Sequence, residues 1–179
     1  MYAGIRCNFV RQSQNINIMG HLSNLTKPIT MSFWWQDFLL AIPRIICGLL
    51  LTKYFGASKF GMPWSETDLN LGLFEVVHWF PEDVAEYGGL FAVFPVFFAW
   101  IGAFSEAVGG VFLVLGLQTR AFSFLVVCTM LVAIFFQQFG QGVWNMLPAM
   151  GFLWVSLFTL ILGSGRFGID YFLTKKRKS

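Results

Sequence analysis

Three ionisable side chains lie in stretches that are otherwise apolar: Asp37, Arg44 and Glu106. A charge at the centre of a bilayer costs about 3 kcal/mol, so such residues usually face the interior of a helix bundle and find a partner there. Counted from the ends of their apolar runs, Arg44 and Glu106 lie at roughly 16 and 18 Å depth, at ~1.5 Å per residue. The sequence therefore predicts that Arg44 and Glu106 face each other as a buried polar site.

The Arg44–Glu106 couple has two readings: a structural ion pair that fixes helix register, or a polar site for a headgroup, a proton or a quinone. Pro43, beside Arg44, indicates either a simple kink or a widened bundle that admits a ligand. Asp37 lies near the start of its apolar run, which favours an interfacial or N-cap-like role.

Small residues surround Glu106, among them Gly102, Gly109 and Gly110. In lipid, such residues let helices approach closely, so they indicate tight packing. The alternative is that they leave space for a flat ring beside the acid.

Other chemistry-bearing residues form no recognisable centre. His21 and His78 lie outside the apolar runs, and Cys7, Cys47 and Cys128 have no C-x-x-C spacing. We predict no metal site and a solvated His78, and the sequence contains no phosphate loop, Ser-His-Asp arrangement or dinucleotide fingerprint. No catalytic residue can be named, and whether the chain is an enzyme stays open.

The elements that position these residues are four apolar runs in a chain that is 56% hydrophobic and only 12% charged. Each run is about the 20 residues that a helix needs to cross a bilayer, and none alternates as a barrel strand does. The sequence predicts an all-α bundle of four transmembrane helices, over residues 33–55, 90–117, 121–139 and 143–162.

The predicted domain organisation is a polar N-terminal extension (1–32), the four-helix domain (33–172) and a basic tail (173–179). Translation starts at either Met1 or Met31. Links 118–120 and 140–142 are short and predict antiparallel hairpins, whereas link 56–89 predicts a long extracytoplasmic loop. Acids and aromatics in this loop indicate an amphipathic interfacial segment that Pro81 interrupts.

Lys and Arg flank the N-terminus, the second link and the tail, which predicts that both termini are cytoplasmic. A basic face on a soluble module is lacking, so nucleic-acid binding is not expected.

Several short motifs occur in a defined order: RIICG at 44–48, GASK at 56–59, EAVGG at 106–110, GLQTR at 116–120 and GSGRFGID at 163–170. Over roughly residues 42–172 the chain resembles the DoxX family of small four-helix membrane proteins. The resemblance implies functional importance for a set of motif residues: Arg44, Lys59, Glu106, Gly109, Gly110, Thr119, Arg120, Arg166 and Asp170.

The resemblance also implies a function. Members resemble the membrane subunits of thiosulfate:quinone oxidoreductase, and others are linked to membrane oxidoreductase assemblies and sulfur or thiol stress. We expect a subunit in the bacterial inner membrane, in contact with lipids and other subunits, that acts at a quinone site. The residues themselves indicate no cofactor; the quinone comes from the resemblance. The alternatives are a non-catalytic accessory subunit of a larger membrane complex and a transporter of a small anion or lipid.

Overall fold

The computed structural model describes residues 28–65 and 71–176. Most of the predicted extension lies outside these residues, together with Cys7, His21 and the last three residues of the tail. The described chain contains four helices long and apolar enough to cross a membrane: Trp34–Gly56, Pro95–Leu115, Thr119–Gln141 and Val143–Leu162. This confirms the predicted all-α fold of four apolar helices.

The first span is α1 (Trp34–Leu50), which continues as a π-helical turn over Leu51–Gly56. The link to the second span carries α2 (Trp79–Glu86) and α3 (Gly89–Val93), and the second span is α4 (Pro95–Leu115). The third span is α5 (Thr119–Val132), followed by π-helical Ala133–Gln138 and a 3-10 turn at Phe139–Gln141. The fourth span is α6 (Val143–Leu162), and α7 (Ile169–Lys176) follows it.

The second span begins at Pro95, later than the predicted Leu90. Phe94 adopts a non-helical conformation (φ −129°, ψ 56°), as a residue before proline tends to do. Pro95 then occupies the start of α4, where its missing N–H has no helical acceptor to lose. The span ends at Leu115 because Gly116 takes the left-handed conformation that terminates helices.

The link between the first two spans is folded in its described parts. An isolated antiparallel bridge joins Phe60 to Val76, with Val77 N donating to Lys59 O at 3.0 Å. The predicted interruption at Pro81 is wrong, because this proline lies in the first turn of α2, where no backbone N–H is needed. Apolar side chains of the link pack on α4 as one buried cluster: Phe60, Val77, Phe80 and Val84 against Ala99, Ala103 and Ala107.

Helices α1 and α4 run antiparallel in close contact. A Cβ on Gly48 would lie 2.6 Å from the carbonyl oxygen of Gly110, so neither position has room for a side chain. Thr52 Oγ1 donates to Ala107 O at 3.2 Å in the next turn. This contact fixes the register of the two helices, as expected for small residues packing in lipid.

The remaining helices are joined in the interior by hydroxyl groups and apolar side chains. Ser105 and Thr129 link α4 to α5 at 2.6 Å, and Ser123 and Thr159 link α5 to α6 at 2.8 Å. Large apolar side chains, many of them Phe and Trp, face outward along all four spans. Apolar side chains thus face outward, while the interior combines apolar packing with polar contacts between helices, as expected for a helix bundle in lipid.

Candidate functional site

Arg44 and Glu106 are both buried, at 1% and 4% exposure, but they have different partners. Arg44 donates to the carbonyl oxygens of Ser164 at 2.7 Å and Phe167 at 2.9 Å. Glu106 pairs instead with Lys59, with Nζ and Oε2 3.0 Å apart. The predicted Arg44–Glu106 couple is therefore wrong, and the bundle holds two separate polar clusters.

The register of α1 and α4 explains the separation. The Arg44 guanidinium lies beside Gly116, at the end of α4. Glu106 is ten residues earlier in the same helix, roughly 15 Å away at ~1.5 Å per residue. The predicted depths place the first residue of α1 beside the last residue of α4. In the structure, the first turns of α1 extend past the end of α4, and residues 163–168 fold against them.

The first cluster, here called the terminal cluster, comprises Asp37, Arg44, Arg166 and Asp170. Asp37 is buried and pairs with Arg166, with Oδ2 and Nε 3.0 Å apart, and its Oδ1 accepts from Met31 N at 3.2 Å. The predicted N-cap-like role is wrong, because Phe33 occupies the N-cap and Asp37 lies in the first turn of α1, paired with Arg166.

The 163–168 segment is a pair of turns that needs its glycines. Gly163 and Gly165 have φ of +76° and +62°, and a Cβ on Gly165 would lie 3.2 Å from Asp37 Oδ1. These residues therefore form turns and not a helix, and Arg166 pairs with Asp37 and not with Asp170 four residues later.

Asp170 caps a different helix. Its carboxylate accepts from Gln118 N at 2.8 Å, Thr119 N at 3.0 Å and Thr119 Oγ1 at 3.1 Å. These groups form the start of α5, where an anion satisfies free N–H groups and the helix dipole. Arg120 donates to Ile161 O at 3.1 Å, in the last turn of α6. These motif residues thus contact the protein's own backbone and side chains, which indicates that their role is structural: they hold the helix ends together.

The second cluster is the Lys59–Glu106 pair. Glu106 lies midway along α4, and Lys59 follows the π-helical end of the first span. The two side chains are 14% and 5% exposed, so the pair is almost fully removed from solvent. Lys59 Nζ also lies 4.9 Å from the centre of the Phe80 ring, a cation–π contact supplied by α2. Lys59 is one of the predicted motif residues, but its pairing with Glu106 was not predicted, because only the folded link brings Lys59 back over α4.

A cavity of about 210 Å³ adjoins this pair. Its walls are mainly aromatic and aliphatic, with Lys59 and Glu106 as the charged groups. Gly102 lines this cavity, and a Cβ there would make only ordinary contacts, 3.7 Å to Phe80 and 3.9 Å to Thr129. Of the predicted small residues, Gly110 serves tight packing and Gly109 faces Val126 and Phe122, which leaves Gly102 at the cavity.

Tyr87 also lines the cavity, although no motif or spacing in the sequence indicates it. It ends α2, outside the membrane-spanning segments. Burial raises the pKa of its phenol, and the carboxylates of Asp83, Glu106 and Glu86 raise it further. The phenol is therefore neutral at physiological pH and retains its proton.

Within the described residues, no group of three or more His, Cys, Asp or Glu is placed to hold a metal ion. The Lys59–Glu106 site offers one cationic hydrogen-bond donor, one carboxylate and a neutral phenol, and the polar groups of Cys128, Thr129 and Gln137 also lie on its mainly apolar walls.

In the described residues, four apolar spans with outward-facing apolar side chains and buried charged side chains define an integral membrane protein of the helical-bundle class. The sequence model of the DoxX family matches residues 39–138, more than half of the chain, and the protein belongs to that family. No curated protein and no solved structure matches it.

Proposed function

We propose that this DoxX-family protein is a membrane subunit associated with a membrane oxidoreductase, and that its Lys59–Glu106 cavity receives the head of a quinone. The observation that carries the proposal is a buried charged pair on the wall of an otherwise aromatic and aliphatic cavity. Sites for small ligands commonly combine apolar walls with a few converging polar groups.

The residues present fit a quinone head. Such a head is a flat ring with carbonyl oxygens that accept hydrogen bonds, and Lys59 offers a cationic donor beside aromatic walls. The cavity, at about 210 Å³, is smaller than the ~300–1,000 Å³ typical of drug-sized ligands. It therefore suits a ring, while an isoprenoid tail would remain in the lipid.

Each charged residue has a defined task in this proposal. Lys59 would donate a hydrogen bond to a quinone oxygen and would stabilise negative charge on that oxygen. Glu106 holds the ammonium group at 3.0 Å and exchanges protons with the site. A quinone takes up two electrons and two protons as it becomes a quinol, and the electrons would come from a redox centre of the partner oxidoreductase.

The proposal keeps the orientation inferred from Lys and Arg. Both termini, with the terminal cluster, would lie on the cytoplasmic side of a bacterial inner membrane, and the Lys59–Glu106 site would lie nearer the opposite face.

The second candidate function is a non-catalytic accessory subunit. It draws support from the link between the first two spans, whose described residues include exposed large apolar side chains: Trp64, Leu73, Phe74 and Trp79. Exposed aromatics beside acids suit a protein interface, although aromatics also anchor membrane proteins at the headgroup level.

Purification in mild detergent, followed by quinone-linked activity of the purified complex, separates the two functions. We expect an oxidoreductase to co-purify, and Glu106→Gln to abolish quinone-linked turnover while the complex still assembles. Asp37→Asn, in the terminal cluster, controls for the loss of a buried carboxylate elsewhere. Normal turnover with Glu106→Gln, together with loss of assembly on Trp79→Ala, would contradict the quinone proposal and favour the accessory subunit.

A further inference from the structure

A second cavity, of about 490 Å³, lies beside the Lys59–Glu106 site. Its lining contrasts with that of the first cavity, because five of its residues carry polar groups: Asp83, Glu86, Tyr87, Gln137 and Gln141. We call it the vestibule. A space this large and this polar readily takes up water, since a single molecule needs only ~10–15 Å³ and a few hydrogen-bonding partners.

The vestibule and the Lys59–Glu106 cavity share two lining residues, Tyr87 and Gln137. The Tyr87 ring is held between Phe91 and Phe136, with ring centres 5.9 and 5.7 Å apart. These two polar side chains therefore form the boundary between a polar space and a buried carboxylate.

Local backbone structure places Gln137 at this boundary. It lies in the π-helical segment Ala133–Gln138, and its carbonyl accepts from Gln141 Nε2 at 3.1 Å. A π-helical turn shifts the face that a side chain occupies, and such turns are common at functional positions. An uninterrupted α-helix over the same residues would direct position 137 differently.

The charges around Tyr87 come from both cavities. Asp83 and Glu86 act on its phenol from the vestibule and Glu106 acts on it from the other side. The groups that face Glu106 across its own cavity are Lys59, Tyr87 and the thiol of Cys128. One neutral hydroxyl thus lies within electrostatic reach of the acids on both sides.

We propose that the vestibule is the route by which protons reach Glu106, with the Tyr87 hydroxyl as the relay. A proton from vestibule water bonds to Tyr87 Oη as the original phenol proton passes to the Glu106 carboxylate. One O–H bond forms and one breaks at Oη, so the phenol is neutral before and after, and one proton has moved. Asp83 and Glu86 concentrate protons at the entrance.

This route deepens the proposed function, because it supplies the protons that quinone reduction consumes, but it is tested without a quinone. Protein in lipid nanodiscs is subjected to a rapid acidic pH jump and followed by time-resolved infrared spectroscopy. The carboxyl C=O band that Glu106→Gln removes reports protonation of Glu106.

We expect Tyr87→Phe to slow the rise of this band by about a hundredfold or more, since a positioned proton-transfer group typically contributes about 10²–10⁴-fold. Asp83→Asn combined with Glu86→Gln should also slow it, although neither residue lines the quinone cavity. Tyr171→Phe, in α7 at the other end of the molecule, is the matched control and should leave the rate unchanged.

An unchanged rate in Tyr87→Phe and in the double variant would overturn the route, as would a wild-type Glu106 band that does not respond to the jump. Quinone binding to the double variant then distinguishes the two proposals. If the double variant binds quinone and its Glu106 band rises slowly, both the proton route and the quinone site are supported. If it no longer binds quinone and the band rises slowly, the proton route is supported and the quinone site is contradicted.

Discussion

Arg44→Met should strongly destabilise the protein, because Arg44 holds the 163–168 segment against α1. The guanidinium is 1% exposed and donates two charged hydrogen bonds, to Ser164 O and Phe167 O. Hydrogen bonds to charged groups contribute about 1.5–3 kcal/mol each, so losing both predicts a loss of about 3–6 kcal/mol. Many proteins have a total stability of only about 5–15 kcal/mol.

Arg44→Lys should lower the free energy of unfolding by about half as much as Arg44→Met. An ammonium group is a compact donor, whereas the planar guanidinium reaches two carbonyl oxygens with separate nitrogens. Lys53→Met is the matched control, since it removes an exposed cation from the same span.

The assay is reversible unfolding in detergent micelles, followed by circular dichroism, with limited proteolysis of the 163–170 segment as a local readout. We expect the order wild type, Arg44→Lys, Arg44→Met in falling stability, with faster cleavage in the last. A free energy of unfolding for Arg44→Met within about 0.5 kcal/mol of wild type, the range of ordinary surface changes, would refute this reasoning.

Three further predictions concern packing, capping and titration. Gly48→Ala places a Cβ 2.6 Å from a carbonyl oxygen of α4, and it should destabilise the bundle by about 1–3 kcal/mol in thermal unfolding. Gly151→Ala is the control and should leave the stability unchanged, because its Cβ would meet no atom within 4 Å. Asp170→Asn should lower the free energy of unfolding by about 1 kcal/mol through weaker capping of α5, and unchanged unfolding would contradict the cap. Ultraviolet titration should find that Tyr87 has a pKa above the ordinary value of 10.0, and that Asp83→Asn lowers this pKa. Because the pKa is raised in the folded state, the stability that Tyr87 contributes is present below pH 10 and is lost as the pH rises further.

The four spans could be predicted because length and hydropathy are local properties of the sequence. The fourth predicted span, 143–162, has the bounds that the structure gives to α6. The burial of Arg44 and Glu106 was predictable for the same reason, since a charge within an apolar run must turn inward.

The partners of these charges could not be predicted by counting residues from the helix ends. The register of α1 against α4 depends on the contact between Gly48 and Gly110. The partners of Arg44 depend on residues 163–168, which fold back against the first half of α1. Both are contacts between distant parts of the chain. Lys59 is also positioned by a contact between separated residues, because the bridge from Phe60 to Val76 holds it beside α4.

The most direct test of the quinone site fills the cavity without changing a charge. Equilibrium binding of a short-chain benzoquinone is measured on purified protein in nanodiscs, for wild type, Gly102→Leu and Gly151→Leu, with thermal unfolding to verify that each is folded. The larger side chain at Gly102 would occupy the space beside Glu106, whereas Gly151 lines a separate groove. We expect Gly102→Leu to weaken binding by at least about tenfold, or ~1.4 kcal/mol, with Gly151→Leu unchanged. Wild-type affinity in a folded Gly102→Leu protein would contradict the account.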